Sequence, residues 1–142
     1  MLLDYLARLH PLVIHFPIAL LIVGACLEAW GWWRPTASTG GTVRLLVSTG
    51  TAAVIAAALS GWLLAEQTRR PPELRSALEW HRWLGVAAVA AAGLACVAVW
   101  QHAPSAGWRR ARSLVIVGAA LLVAATGHFG GLLVWGLDYF SP

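Results

Sequence analysis

The sequence is poor in charge, and it contains no lysine. Charged residues make up 11% of its 142 residues, against about 25% in an average soluble domain. All ten basic residues are arginine, and the net charge of +4 at pH 7 is modest. With 59% hydrophobic residues and a mean hydropathy of +0.70, the composition excludes an ordinary soluble domain. It predicts a single membrane-embedded domain over residues 1–142.

Cysteine and methionine are scarce, which narrows the cofactor chemistry. The two cysteines, Cys26 and Cys96, lie inside apolar runs, and neither a C-x-x-C nor a C-x-x-C-H motif is present. A dithiol redox pair and a c-type haem attachment are therefore not indicated. Copper often uses Met or Cys ligands, and the one methionine is Met1. No Ser-His-Asp set, phosphate loop or nucleic-acid-binding surface is recognisable, so the sequence leaves open whether the protein is an enzyme.

Four long apolar runs predict an all-α fold, a four-helix transmembrane bundle. The predicted spans cover about 11–30, 43–65, 80–100 and 114–137, and each reaches the roughly 20 residues that cross about 30 Å of hydrocarbon. Residues 1–9 form an amphipathic lead-in at the membrane interface. Nine tryptophans mark the ends of the runs, as in an interfacial aromatic belt.

Four spans place both termini on one side of the membrane. We call this side A, and it includes the 66–79 loop, whereas the 34–42 and 102–112 loops lie on side B. Five arginines fall on each side, so the positive-inside rule does not choose between them. Because five of the six acidic residues lie on side A, we predict that side A faces the periplasm of a bacterial inner membrane.

Two further features concern packing inside the membrane. The second and third spans are rich in small residues, from Ala52 to Gly61 and from Ala87 to Gly93. Such faces let helices approach closely, either inside the bundle or against another subunit. Glu28 is a carboxylate late in the first span, and we expect it to pair with Arg44 or Arg34.

The histidines are the candidate ligand-binding residues of the chain. The first span opens with H-P-L-V-I-H-F-P at 10–17, where Pro17 is expected to kink the helix or end a first tight turn. The fourth span contains G-H-F-G-G at 127–131, His81 begins the third span, and His102 ends it on side B as an interface residue. Ionisable residues inside a membrane are costly and usually face an interior site. By depth, His15 pairs with His128, and His10 pairs with His81.

We predict that these histidines bind haem. Imidazole is a usual ligand of iron, and haem iron needs only two axial residues and room for a flat macrocycle. We expect His15 and His128 as axial ligands. His10 and His81 form a second ligand pair, or bind the propionates or a quinone. Three glycines that leave space, two phenylalanines that pack on the ring and one arginine for the propionates complete the predicted site: Gly127, Gly130, Gly131, Phe16, Phe129 and Arg82.

Two other interpretations of the histidines remain open. Zinc or iron could be held without haem by His10, His15, His81 and Glu79, since a zinc site needs three or four ligands. Alternatively, the chain is a structural subunit of a respiratory or photosynthetic membrane complex with no cofactor of its own. In that case, its small-residue helices and tryptophans would contact partner proteins or lipids.

The motifs together resemble one bacterial family. They are H-P-x-x-x-H-F-P in the first span, a histidine at the head of the third, and G-H-F-G-G-x-L-V-x-G in the fourth. The family consists of predicted four-helix membrane domains of unknown function, some found near or fused to c-type cytochrome modules. The resemblance covers essentially the whole chain and favours haem. We predict electron transfer between a periplasmic cytochrome and the quinone pool or a larger complex, with membrane lipids as the other contacts.

Overall fold

The computed structural model describes residues 2–34, 39–68, 71–102 and 105–140. Within these ranges the chain is helical and has no strands, which confirms the all-α prediction. The helices are α1 (Leu2–Arg8), α2 (His10–Val13), α3 (His15–Trp33), α4 (Gly40–Gln67), α5 (Arg75–Trp100) and α6 (Ala106–Trp135), and short 3-10 turns cover Pro72–Leu74 and Leu137–Phe140.

Four helical segments are long and apolar enough to cross a membrane: His10–Trp33, Gly40–Gln67, Pro72–Trp100 and Ala106–Trp135. The predicted four-span membrane fold is thereby confirmed. The fourth helix starts well before the predicted boundary at 114, because the Ser105 hydroxyl accepts a hydrogen bond from the Trp108 N–H at 3.1 Å and caps the first turn. Hydropathy marks only the hydrocarbon layer, so it misses this polar turn.

The four spans close into a ring in which each one packs against two others. α3 contacts α4 and α6, and α5 contacts the same two helices from the opposite side. In the interior, Leu21, Val47 and Ile116 are fully buried, as are the small residues Ala88 and Ala92 of α5. The small-residue face of the third span is therefore used inside the bundle, because alanine lets α5 approach its neighbours closely.

The hydrogen-bond ladder of the first span is interrupted at Ile14, three residues before Pro17, although Ile14 keeps helical dihedral angles. α2 ends at Val13, and α3 begins at His15, with Ile14 donating its N–H to the carbonyl of His10 at 3.0 Å. Pro17 has no N–H to bond the carbonyl four residues earlier, at Val13, so the regular hydrogen-bond ladder cannot continue through this turn.

The expected partner of Glu28 was wrong. Its carboxylate is buried, and its Oε1 accepts hydrogen bonds from Arg112 Nη2 at 2.8 Å and from the Ser113 hydroxyl at 2.7 Å. Arg44 instead donates from its Nε to the carbonyl of Val99 at 2.9 Å. The reason is the ring closure, because α3 packs against α6 and brings the first turns of the fourth span to Glu28.

Candidate functional site

A largely apolar cavity of about 210 Å³ lies in the side-A half of the bundle. All four spans contribute to its wall. The side chains with polar atoms that line it are His10, Trp62, His81, Arg82 and Thr126. The cavity therefore combines an apolar wall with a small number of polar groups, which is the usual composition of a small-molecule or cofactor site.

His10 enters the cavity from the first span and rests on α4. Its Nδ1 lies 2.9 Å from the carbonyl oxygen of Ala57 and 3.3 Å from the Ser60 hydroxyl. A carbonyl oxygen can only accept, so Nδ1 carries the proton, and Nε2 of the neutral ring keeps the lone pair. The ring lies directly over Gly61, where an added Cβ would be 2.6 Å from His10 Cε1.

His81 is held in the same way on the opposite side of the cavity. Its Nδ1 donates to the carbonyl oxygen of Thr126 on α6 at 2.9 Å. A Cβ added at Gly130 would lie 3.1 Å from His81 Cε1, so a glycine again lets the ring approach the helix backbone. Metal-binding histidines typically donate their second ring N–H to a carbonyl, which fixes the tautomer and orients the other nitrogen.

The two imidazoles lie close together in an edge-to-face arrangement. Their ring centroids are 6.2 Å apart, and their planes are inclined by 82°. With metal–nitrogen bonds of about 2.0–2.1 Å, two imidazoles on opposite sides of one metal ion have centroids about 6 Å apart. The separation of His10 and His81 is thus suited to a shared metal centre, and their perpendicular planes keep the two rings from stacking.

Arg82 adds a cationic donor beside the histidines. Its guanidinium carbon lies 5.0 Å from the centre of the Trp62 ring, a cation–π contact that also covers one face of the guanidinium. Its Nε is buried and has no hydrogen-bond partner among the residues that the structure describes. Buried polar groups are nearly always paired, so this nitrogen indicates a missing acceptor, such as a carboxylate or a carbonyl of a guest molecule.

Half of the predicted site residues line this cavity. Those on its wall are His10, His81, Arg82, Gly127 and Gly130.

The predicted ligand pair His15 and His128 does not line the cavity. Both side chains are exposed at the surface of the bundle. Each follows a residue that does line the cavity, Ile14 and Gly127 respectively, and one step along a helix turns the side chain by about 100°. Depth alone, which suggested the pair, carries no information on this rotation.

The remaining predicted residues also lie away from the cavity. Phe16 is exposed, and Phe129 stacks on Trp80 with ring centroids 6.2 Å apart. Gly131 has no neighbour within 4 Å of an added Cβ, so its lack of a side chain makes room for nothing in the structure.

The alternative zinc set is not assembled. Among the described residues, no group of three or more His, Cys, Asp or Glu side chains is placed to hold a metal ion. Glu79 and His15, which were to complete the set, are both exposed. A metal in this cavity would therefore have two protein imidazoles and would need its other ligands from elsewhere.

Sequence reasoning missed the α4 side of the site. Ala57, Ser60 and Gly61 receive the His10 ring, and Trp62 receives Arg82. A signal was present, because Ser60 interrupts an alanine-rich run at the same side-A depth as His10. The run was interpreted only as a packing surface.

Comparison with known proteins gives one family. Residues 7–139 match the family model described as "Predicted membrane protein (DUF2231)". No curated protein and no solved structure matches the chain. The match includes every residue of the cavity wall, so the histidine pair belongs to the part of the chain that is similar to this family.

Proposed function

The chain belongs to this family of predicted membrane proteins, whose function is unknown, and we propose that it binds one b-type haem between His10 and His81 and transfers electrons in the membrane. One observation carries the proposal: the two imidazoles lie 6.2 Å apart across the cavity. Both have their Nδ1 committed to a backbone carbonyl, at Ala57 and at Thr126. A haem bound by these two residues would supply one-electron transfer.

The rest of the cavity wall supports a haem. Gly61 and Gly130 let the two imidazole rings approach the helix backbone closely. Gly127 is a third position on the cavity wall without a side chain. Arg82, with its unpartnered buried Nε, is the residue that would bind a propionate. The enclosed volume of about 210 Å³ is below the roughly 300–1,000 Å³ of sites for drug-sized ligands. A macrocycle would therefore have to extend beyond this cavity, between the helices.

The proposal includes the location and the partners. We infer that the protein resides in the bacterial inner membrane with side A towards the periplasm, so that the cavity lies nearer the periplasmic face. Five arginines lie on each side, so this orientation rests on the surplus of acidic residues on side A. The electron partners would then be a periplasmic cytochrome and the quinone pool or a larger redox complex.

Absorbance spectroscopy tests the proposal. Protein purified in mild detergent from cells supplied with haem precursor should show a Soret band and a reduced α-band at one haem per chain. His10→Ala and His81→Ala should each lose most of this absorbance, because each removes one axial nitrogen. His15→Ala and His128→Ala are the matched controls, since both side chains are exposed and off the cavity wall, and they should keep the spectrum.

Two results would contradict the proposal. The first is a well-folded wild-type protein that takes up no stoichiometric haem. The second is a spectrum that depends on His15 and His128 and not on His10 and His81, which would move the haem to the outer surface of the bundle.

The small cavity volume favours a second candidate, a metal ion without a macrocycle. His10 and His81 would supply two nitrogen ligands, and water or a substrate would supply the others. Elemental analysis of the purified protein separates the two proposals, because this candidate requires stoichiometric zinc or iron without a Soret band.

A further inference from the structure

A second cleft opens at the opposite end of the bundle, on side B. Its volume is about 540 Å³. The residues that define it are Glu28 and Trp32 of α3, and Arg109, Arg110 and Arg112 of α6. Among the described residues, the two sites have no lining residue in common, so the ligand of this cleft is argued independently of the haem proposal.

The cleft has a surplus of positive charge. Three arginines and one glutamate line it, which leaves a net charge of about +2 at pH 7. Glu28 is occupied by Arg112, at 2.8 Å. Neither Arg109 nor Arg110 has an ion-pair partner among the described residues, and both are exposed. An anion is therefore the complementary ligand.

The walls of the cleft are fixed by hydrogen bonds. Arg112 donates to Glu28 from both Nε and Nη2, at 3.0 and 2.8 Å. Ser113 also donates to Glu28, and the indole N–H of Trp32 donates to the Ser113 hydroxyl at 3.0 Å. This network ties α3 to α6. The network therefore holds the first turns of α6, which carry Arg109 and Arg110, against α3.

The depth of the cleft in the membrane identifies the ligand. Trp32 and Trp108 lie near it and are partly exposed, and tryptophan concentrates at the level of the lipid headgroups. The volume is many times the ~30 Å³ of one water molecule, so the cleft has room for a phosphate ester with its glycerol and not only for a small ion. Basic pockets between membrane helices are known to bind anionic headgroups.

We propose that this cleft binds the phosphate group of an anionic phospholipid headgroup, such as phosphatidylglycerol, through Arg109 and Arg110. Arg112 forms the base of the site and is held there by Glu28. The arginines would recognise the phosphate group, and the position of the cleft at the membrane interface favours a lipid as its source.

Native mass spectrometry of the detergent-purified full chain tests this proposal. Wild-type protein titrated with phosphatidylglycerol should retain one lipid, and phosphatidylcholine should bind much more weakly. The double variant Arg109→Gln/Arg110→Gln should bind phosphatidylglycerol about 30-fold more weakly, since each arginine near an anionic surface contributes about 1 kcal/mol. Arg109→Lys/Arg110→Lys keeps the charge and should keep most of the affinity.

The matched control is Arg8→Gln/Arg75→Gln, which removes the same charge from two exposed positions on side A. It should bind like the wild type. Equal retention of the two lipids, or equal weakening by both glutamine variants, would overturn the proposal. Displacement of the lipid by millimolar inorganic phosphate would also overturn the lipid assignment and would identify free phosphate as the ligand of the cleft. All three double variants should keep the haem spectrum of the wild type, so failure here and failure of the haem proposal are distinguishable.

Discussion

Replacing Gly61 with alanine gives the most direct test of how the histidine site is built. A Cβ at this position would lie 2.6 Å from His10 Cε1 and 3.0 Å from His10 Nδ1, whereas ordinary van der Waals contact begins near 3.4 Å. The ring must therefore move by about 0.8 Å, more than the roughly 0.5 Å within which a functional group has to be held. The movement also lengthens the hydrogen bond from His10 to the Ala57 carbonyl.

The variant should be less stable and should lose most of its haem. Overpacking a close contact costs about 1–3 kcal/mol, and the displaced imidazole no longer faces His81 at the distance of a shared ligand pair. Thermal unfolding in detergent, followed by circular dichroism, measures the first effect. The ratio of Soret to protein absorbance measures the second.

Gly93→Ala is the matched control. Gly93 also lies in the middle of a membrane helix, but a Cβ there would meet nothing within 4 Å. It brings the same gain in helix propensity, up to about 1 kcal/mol, without the collision. If Gly61→Ala unfolds at the same temperature as Gly93→Ala and keeps the haem ratio of the wild type, then the close seating of His10 on α4 is wrong.

Three further predictions concern single contacts. Arg112→Gln should lower the free energy of unfolding by about 2–4 kcal/mol, because the buried carboxylate of Glu28 loses its charged partner. In a chemical-unfolding titration, adding Glu28→Gln should restore part of the lost stability, and strict additivity of the two losses would argue against the ion pair. Gly50→Ala should cost about 1–3 kcal/mol in the same titration, because its Cβ would lie 2.9 Å from two carbons of Leu21; an unchanged midpoint would show that Leu21 moves freely. Arg82→Gln should bind haem more weakly but keep the position of the α-band, since the propionate contact is lost and the axial ligands remain; a shifted band would instead make Arg82 part of the ligand environment.

The histidine site could be predicted from the sequence only in part. The residue types and their depth indicated the side-A half, because an imidazole inside a membrane needs a polar partner and all histidines but His102 fall in that half. Depth paired His10 with His81, which the structure brings together, and it also paired His15 with His128, neither of which lines the cavity. His10 and His15 are separated by a proline break whose local rotation the sequence does not give, and a rotation of about 100° per residue decides whether a side chain faces a cavity or lipid.

The same division applies to Glu28. Its burial followed from its position in an apolar run, and so did the need for a cationic partner, because an unpaired charge inside a membrane is expensive. The identity of that partner depended on which spans are neighbours in the ring. Arg44 lies closer in the chain, but α6 supplies Arg112 and Ser113.

The amino-acid sequence alone determined the membrane class, the number of spans and the side on which the histidines gather, because hydropathy and length are summed over many residues and tolerate local error. Only the tertiary structure decided which imidazoles meet, which glycines receive them and which arginine neutralises Glu28. These are contacts between side chains on different helices, and they depend on the rotation of each helix about its axis and on the order of the ring, neither of which is encoded in hydropathy or chain position.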